Sequence, residues 1–286
     1  MAIYIKIRQN YKACCLKVTN IIPLGTRDFM GKLLKNITYT FFCFITFVLL
    51  NVAQATNNEI KHVVEDISKM YISSMEYIFL SQPIINQKGG DKSALFGQKF
   101  INNIKTTYQA KFSEPFPLLD HQAKKMLLQT MVEVMEDNLL LVNDVDIGFK
   151  GLIPATFAFQ ISRKLSTKGI GLEIKFTRTS KKIRNPFNKP DDWETKIMAK
   201  MLKSPQIYYD ENALLNGKPA FRQFTVLQMK PYCLNCHGTI ADNPLNTGKP
   251  ESQWTDIDMT GFKMENWSID DFGGGVSISI EKSHLQ

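Results

Sequence analysis

Leu172-Glu173-Ile174-Lys175-Phe176-Thr177 alternates apolar and polar residues without a break. A period of two reads as a strand with one face buried. Upstream the period is different. Between Asn57 and Leu80, the residues Ile60, Val63, Val64, Ile67, Met70, Tyr71, Ile78 and Phe79 recur at helical spacing, and Pro83 with Gly89-Gly90 ends the segment. A second helix is predicted over Lys92–Tyr108, with Leu95, Phe96, Phe100, Ile101 and Ile104 on one side. Pro115 and Pro117 interrupt the chain, and Asp120 is the predicted N-cap of a third helix running to about Val142. A fourth is predicted over Pro154–Thr167, with Pro at its start and Gly169 just past its end. Downstream of the quoted stretch, Asn185–Pro190 reads as a loop and Asp191 or Asp192 as the cap of a short helix reaching Lys203. Gln206–Asp210 and Phe221–Met229 read as strands, and Gly273-Gly274-Gly275 as a turn before the alternating Val276-Ser277-Ile278-Ser279-Ile280. Helices come first and strands later, with no βαβ rhythm, so the expected class is α+β around an antiparallel sheet.

The chain has 286 residues, 44 % hydrophobic and 22 % charged, which excludes collagen-like, wholly disordered and polytopic membrane classes. Its formal charge of +8 would suggest nucleic acid, but the excess is local. Residues 1–55 hold Lys6, Arg8, Lys12, Lys17, Arg27, Lys32 and Lys35 against Asp28, leaving a net of +2 for the rest. Lys181-Lys182 with Arg184 is only a short charged loop, and no nucleic-acid partner is expected. Lys32 and Lys35 precede an apolar run, Ile37–Val52, and Ala53-Gln54-Ala55 follows. A basic flank, an apolar stretch and an A-x-A site predict a signal peptide over 1–55, cleaved after Ala55, and a periplasmic domain over 56–286. The run is short for a spanning helix and holds Thr38, Thr40 and Thr46, so a membrane association is expected only if the leader stays as an anchor. Met30 would begin a leader of ordinary length, which marks 1–29 as an extension.

Cys14, Cys15 and Cys43 lie in the leader, and Cys233 and Cys236 are the only others. The latter sit in Cys233-Leu234-Asn235-Cys236-His237, a C-x-x-C-H motif, the attachment signal of c-type haem. Two thiols at this spacing can reach the two vinyl groups of a porphyrin, and the next residue, His237, falls beneath the iron as its proximal ligand. Three other readings compete. A zinc site would need four protein ligands, and there is no second cysteine pair. A thioredoxin-like pair would open a helix in a βαβ setting. A structural disulfide would leave His237 without a role. One motif implies one covalent haem c.

Three stretches then carry a family resemblance: Arg184-Asn185-Pro186 with Asn188, Pro190, Trp193 and Glu194; Met229-Lys230-Pro231-Tyr232 leading into the motif and Gly238; and Gly273-Gly274-Gly275-Val276-Ser277-Ile278. The chain resembles the bacterial c-type haem family with a PAS-like fold, long catalogued as a domain of unknown function. That family includes stand-alone exported haem proteins and the sensor heads of histidine kinases. The resemblance spans His62 to Ile280. It implies an antiparallel PAS-like sheet, haem on Cys233 and Cys236, and His237 on the iron.

Some family members offer an upstream Cys on the distal side; here Gly148-Phe149-Lys150-Gly151-Leu152-Ile153-Pro154 occupies that stretch, and the distal ligand is left open. His62 and His121 read as solvated helix-terminus residues and His284 as frayed near the end. Met126, Met131 and Met135 read as core filling. Arg184 reads either as a partner of a haem propionate or as a loop arginine in solvent. Trp193, Tyr232, Trp254 and Trp267 read either as pocket walls or as core. Neither a phosphate loop nor a G-x-S-x-G or H-E-x-x-H motif is present, so catalysis is not expected. The reading is an exported mono-haem cytochrome that passes electrons between periplasmic redox partners; a haem-based gas or redox sensor acting through a separate partner is the alternative.

Overall fold

The computed structural model describes residue 46 and residues 58–179, 183–202 and 207–284. Apart from residue 46, the predicted leader, with its cleavage motif Ala53–Ala55 and its basic residues, lies outside the described residues, as do Lys181, Lys182, Lys203 and Gln206. Among the described residues, no helix is long and apolar enough to cross a membrane. The chain divides after Glu59, and the fold below belongs to the unit that starts at Ile60.

Helix α1 runs through residues 60–80 and is followed by α2 (Gln82–Asn86), α3 (Gly97–Phe112), α4 (Gln122–Asp137), α5 (Leu139–Asn143) and α6 (Pro154–Ser166). Then come β1 (Leu172–Thr177), α7 (Asp192–Met201), β2 (Ile207–Leu215), β3 (Lys218–Gln228), the one-turn α8 (Leu234–His237) and β4 (Phe272–Glu281). The four strands form one antiparallel sheet in the order β1-β4-β3-β2. The α+β class and the antiparallel sheet are as expected.

Alternation along the strands gives the sheet two buried faces. Leu172, Ile174, Phe221, Val276, Ile278 and Ile280 pack with Val64, Ile67, Tyr71, Phe100, Met131 and Phe157 of the helices. Ile174 stands opposite Ile278, and Phe221 opposite Ile280. The Tyr71 hydroxyl donates to the Ala158 carbonyl at 2.8 Å, joining α1 to α6, and Ser68 meets Thr225 of β3 at 3.1 Å. Phe224 faces the other way, into a smaller cluster with Ile197, Met198 and Met201 of α7. Met131 and Met135 are fully buried, as core filling requires.

Several boundaries move for physical reasons. The second helix begins at Gly97, not Lys92, because Lys92 folds back: its ammonium donates to the Ile85, Gln87 and Val142 carbonyls. The third helix is capped by His121, whose Nδ1 accepts from the Ala123 amide at 3.1 Å, while Asp120 pairs with Lys124. It stops at Asn138, whose side-chain amide donates to the Val134 carbonyl and to Gln160, and resumes as α5. Asp191 is the cap of α7, in a reciprocal box with Glu194. Strands β2 and β3 are longer than predicted and meet at Asn216-Gly217, both with positive φ, the chemistry of a two-residue hairpin turn. Gly273–Gly275 is no turn: all three lie inside β4.

Candidate functional site

Strand β3 does not return directly to β4. The Met229 amide donates to the Asp271 carbonyl and the Asp270 amide to the Met229 carbonyl, both at 2.9 Å, and these two bonds close the neck of an excursion over residues 230–269. Pro231 opens a single 3-10 turn, Pro231–Cys233, which runs on into α8. The turn sets Cys233 and Cys236 three residues apart and ends on His237. Both thiols are free and half-buried. Burial pushes the Cys233 thiol up, and pushes Cys236 up to about 11 with the charge of Asp258 adding to it. At neutral pH these are thiols rather than the reactive thiolates of a redox pair.

The chain then returns alongside its own motif. The Trp267 amide donates to the His237 carbonyl at 2.9 Å, and the Asn266 amide to the Gly238 carbonyl at 3.0 Å. That pairing sets Glu265 and Trp267 beside the imidazole. His237 Nδ1 lies 2.8 Å from Glu265 Oε2, and its ring stacks on Trp267 with centroids 4.8 Å apart and planes at 11°. Burial alone would raise the Glu265 pKa, but the bonds from His237 and Arg184 outweigh it and hold the carboxyl below its usual range. An ionised Glu265 makes Nδ1 the donor, so the Nε2 lone pair points away from it. No hydrogen bond engages Nε2 among the described residues.

Arg184 stands behind this pair. Its Nε donates to Glu265 Oε1 at 2.9 Å and its Nη2 to Oε2 at 2.8 Å, a two-pronged grip on one carboxylate. Nη1 donates to Asp258 at 2.5 Å, and Nη2 also reaches the carbonyls of Cys236, at 2.9 Å, and Lys263. Asp258 is buried and accepts from the Thr260 amide and hydroxyl and from the Phe262 amide. Burial would lift its pKa, yet the Thr260 and Arg184 bonds depress it.

Arg184, 52 residues before Cys236, thus meets the Cys233, Cys236 and His237 of the motif in one place. Trp267 joins them. Tyr232 stacks on Phe79 of α1 at 4.2 Å, whereas Trp193 lies with α7, under Arg222 and bonded to Asp210. The Trp254 indole donates to the Lys249 carbonyl. His62 is exposed beside Glu65, and His284 sits against Gly171 in a short turn. In the stretch 148–154, the Lys150 amide donates to Asn86 and its ammonium to the Asp144 and Ile147 carbonyls.

Glu265, Asp258 and Arg178 are functional candidates that spacing did not reveal. Glu265 and Asp258 lie in an aperiodic stretch. Arg178 left one signal: continuing the alternation Leu172, Ile174, Phe176 places a charge on the apolar side. Among the described residues, no group of three or more His, Cys, Asp and Glu could hold a metal ion alone. The site offers one open imidazole nitrogen and two neutral thiols on a single turn, which suits a metal carried by a covalently attached group.

No curated protein matches the sequence. Among solved structures, the chain is similar to the cyanobacterial heme-protein Tll0287 in its crystal structure, with 14 % identity, 56 % of this chain and 91 % of that chain covered, and a TM-score of 0.32. The Tll0287-like family model matches residues 26–281, nearly the whole length, and the chain belongs to the Tll0287-like family.

Proposed function

We propose that this is an exported mono-haem c-type cytochrome that passes single electrons between periplasmic redox partners. One observation carries the reading: a C-x-x-C-H motif whose histidine is held at Nδ1 by Glu265, with Nε2 left without a hydrogen bond among the described residues. The protein that names the family is described as a heme-protein, which agrees. Cys233 and Cys236 would hold the haem through thioethers, and two free thiols fit that role better than a disulfide. His237 would give Nε2 to the iron. The haem, when bound, supplies a reversible one-electron couple.

The chain's own residues do the rest. Glu265 accepts from Nδ1, fixes the tautomer and makes the imidazole a stronger donor, which favours the oxidised state. Arg184 keeps Glu265 ionised and in place. Trp267 fixes the plane of the imidazole. The leader supports export, since haem attachment takes place outside the cytoplasm.

The test is Cys233→Ala with Cys236→Ala, matured in the presence of the haem-attachment machinery. Haem that survives denaturation should be lost completely; colour that stays covalently bound in the double variant overturns the reading. Unchanged spectra under carbon monoxide are expected of a carrier, and immediate binding would favour the sensor. N-terminal sequencing of the exported protein should begin at Thr56.

A further inference from the structure

A second guanidinium stands at the site, and its bonds are unfinished. Arg178 follows the last residue of β1. Gly274, at φ +111°, lets the chain close there: a Cβ on it would lie 2.4 Å from the Thr177 carbonyl oxygen and 3.2 Å from Arg178 Cβ. The Arg178 guanidinium carbon then sits 3.3 Å from the centroid of the Trp267 ring, and that same ring stacks on His237. Arginine, indole and imidazole form one contiguous set.

Among the described residues, Arg178 Nε and Nη1 are buried with no hydrogen-bond partner. A buried donor left unmet is destabilising, so a partner is called for. Burial, with Arg184 nearby, pulls its pKa down to about 10, against the pull of Glu265 and Asp271, so the group is still charged at neutral pH. No carboxylate lies within ion-pair distance of it among the described residues. The contrast with two other arginines is direct. Arg184 has spent its donors on Glu265, Asp258 and two carbonyls. Arg222 leaves Nε unmet, yet Asp191 and Glu194 pair its charge. Of these three, Arg178 is the one that has both unmet donors and an unpaired charge among the described residues, and it stands beside the ring that stacks on His237.

We infer that Arg178 receives a carboxylate of the bound group, a haem propionate, and that Arg184 serves as a brace for Glu265. The inference rests on the haem reading given above. A guanidinium two contacts from the axial imidazole, held by a glycine-only approach and lacking an anion from its own chain, is placed for an anion that arrives with the cofactor.

Arg178→Gln, Arg178→Lys and Arg184→Gln, each matured with haem, decide it. Haem per chain is measured first, then the midpoint potential and the propionate bending band in the resonance Raman spectrum. Arg178→Gln should keep its covalent haem, because the thioethers do not depend on it, but shift the propionate band and lower the potential, since a cation beside the carboxylate is lost. Arg178→Lys should fall between it and the wild type, which also covers the case where the glutamine variant fails to fold. Arg184→Gln should leave the propionate band in place. Unmoved bands and potentials in haem-loaded Arg178 variants would overturn this inference alone, as would a band that moves only in Arg184→Gln. A wild-type chain carrying no haem would overturn the haem reading and this inference with it.

Discussion

The helix–sheet layer and the excursion over residues 230–269 are built on opposite principles. In the first, Val64, Ile67, Phe100, Phe157, Val276 and Ile278 have no exposed surface, and burial of apolar area holds the elements together. In the second, buried polar groups take that role. The Asn243 side chain donates to the Thr255 and Ile257 carbonyls, at 3.0 and 2.9 Å, and the Asn246 side chain to the Ile240 and Thr255 carbonyls, at 2.8 and 2.9 Å. Asp258 and Arg184 continue the network up to Glu265 and His237. One region tolerates imprecision because the hydrophobic effect has no direction. The other fixes its side chains by directed bonds, and the site is in that one.

Three measurements would break or sharpen the contrast, in descending order of effect. Phe157→Ala removes a fully buried ring that packs edge-on to Phe100, and should cost about 4 kcal/mol in denaturant unfolding. A loss under about 1 kcal/mol would mean that the core is not what holds the layer.

Asp258→Asn comes next. It leaves the Arg184 guanidinium short of one buried carboxylate and should cost about 2–3 kcal/mol. Here pH gives an independent check. The Asp258 carboxyl is depressed in the folded chain relative to an unfolded value of about 3.9, so its contribution is full above that value and lost as pH falls through the folded one. The stability gap between wild type and Asp258→Asn, measured by urea unfolding, should therefore be wide at pH 7 and narrow toward pH 2. A constant gap would show that the charge is irrelevant and only shape matters.

Glu265→Gln should have the smallest effect on stability, about 1–2 kcal/mol, because the remaining oxygen keeps His237 and Arg184 Nη2 and only the bond from Arg184 Nε is lost. Its signature lies elsewhere. A neutral acceptor weakens the imidazole as a donor, so the midpoint potential of the haem-loaded protein should rise. A large stability loss with an unmoved potential would make Glu265 a structural residue only.

The two regions also differ in how far the sequence reveals them. Periodicity located α1, α6, β1 and the apolar half of β4, since burial on one face leaves a repeating trace. It missed the hairpin at Asn216-Gly217, although that dipeptide is itself a turn signal. It missed the break at Asn138, where a side chain competes for backbone carbonyls in the middle of an apolar helix. In the excursion, the C-x-x-C-H motif was legible because its chemistry fixes its spacing. Glu265 was not: it reaches His237 only because the backbone doubles back at residues 266 and 267, a non-local pairing without periodicity. Arg184 stood out as a candidate, but its partners Glu265 and Asp258 lie 81 and 74 residues away.

Gly273–Gly275 divides β4 into unlike halves. From Val276 to Ile280 the strand is anchored by side chains; over the three glycines it is anchored by ladder bonds alone, at positions where a Cβ would meet Met229, the Thr177 carbonyl or Phe224. Glycine gives up the most backbone entropy on ordering, so this half is the cheaper one to open. It adjoins the neck bonds between Met229 and residues 270–271. In amide-exchange terms the strand should be graded, faster at Phe272 than at Ile278, with the neck at the faster end. On that gradient the excursion would open at its neck before the helix–sheet core unfolds, so exchange at Asp270 and Asp271 should outpace that at Ile278.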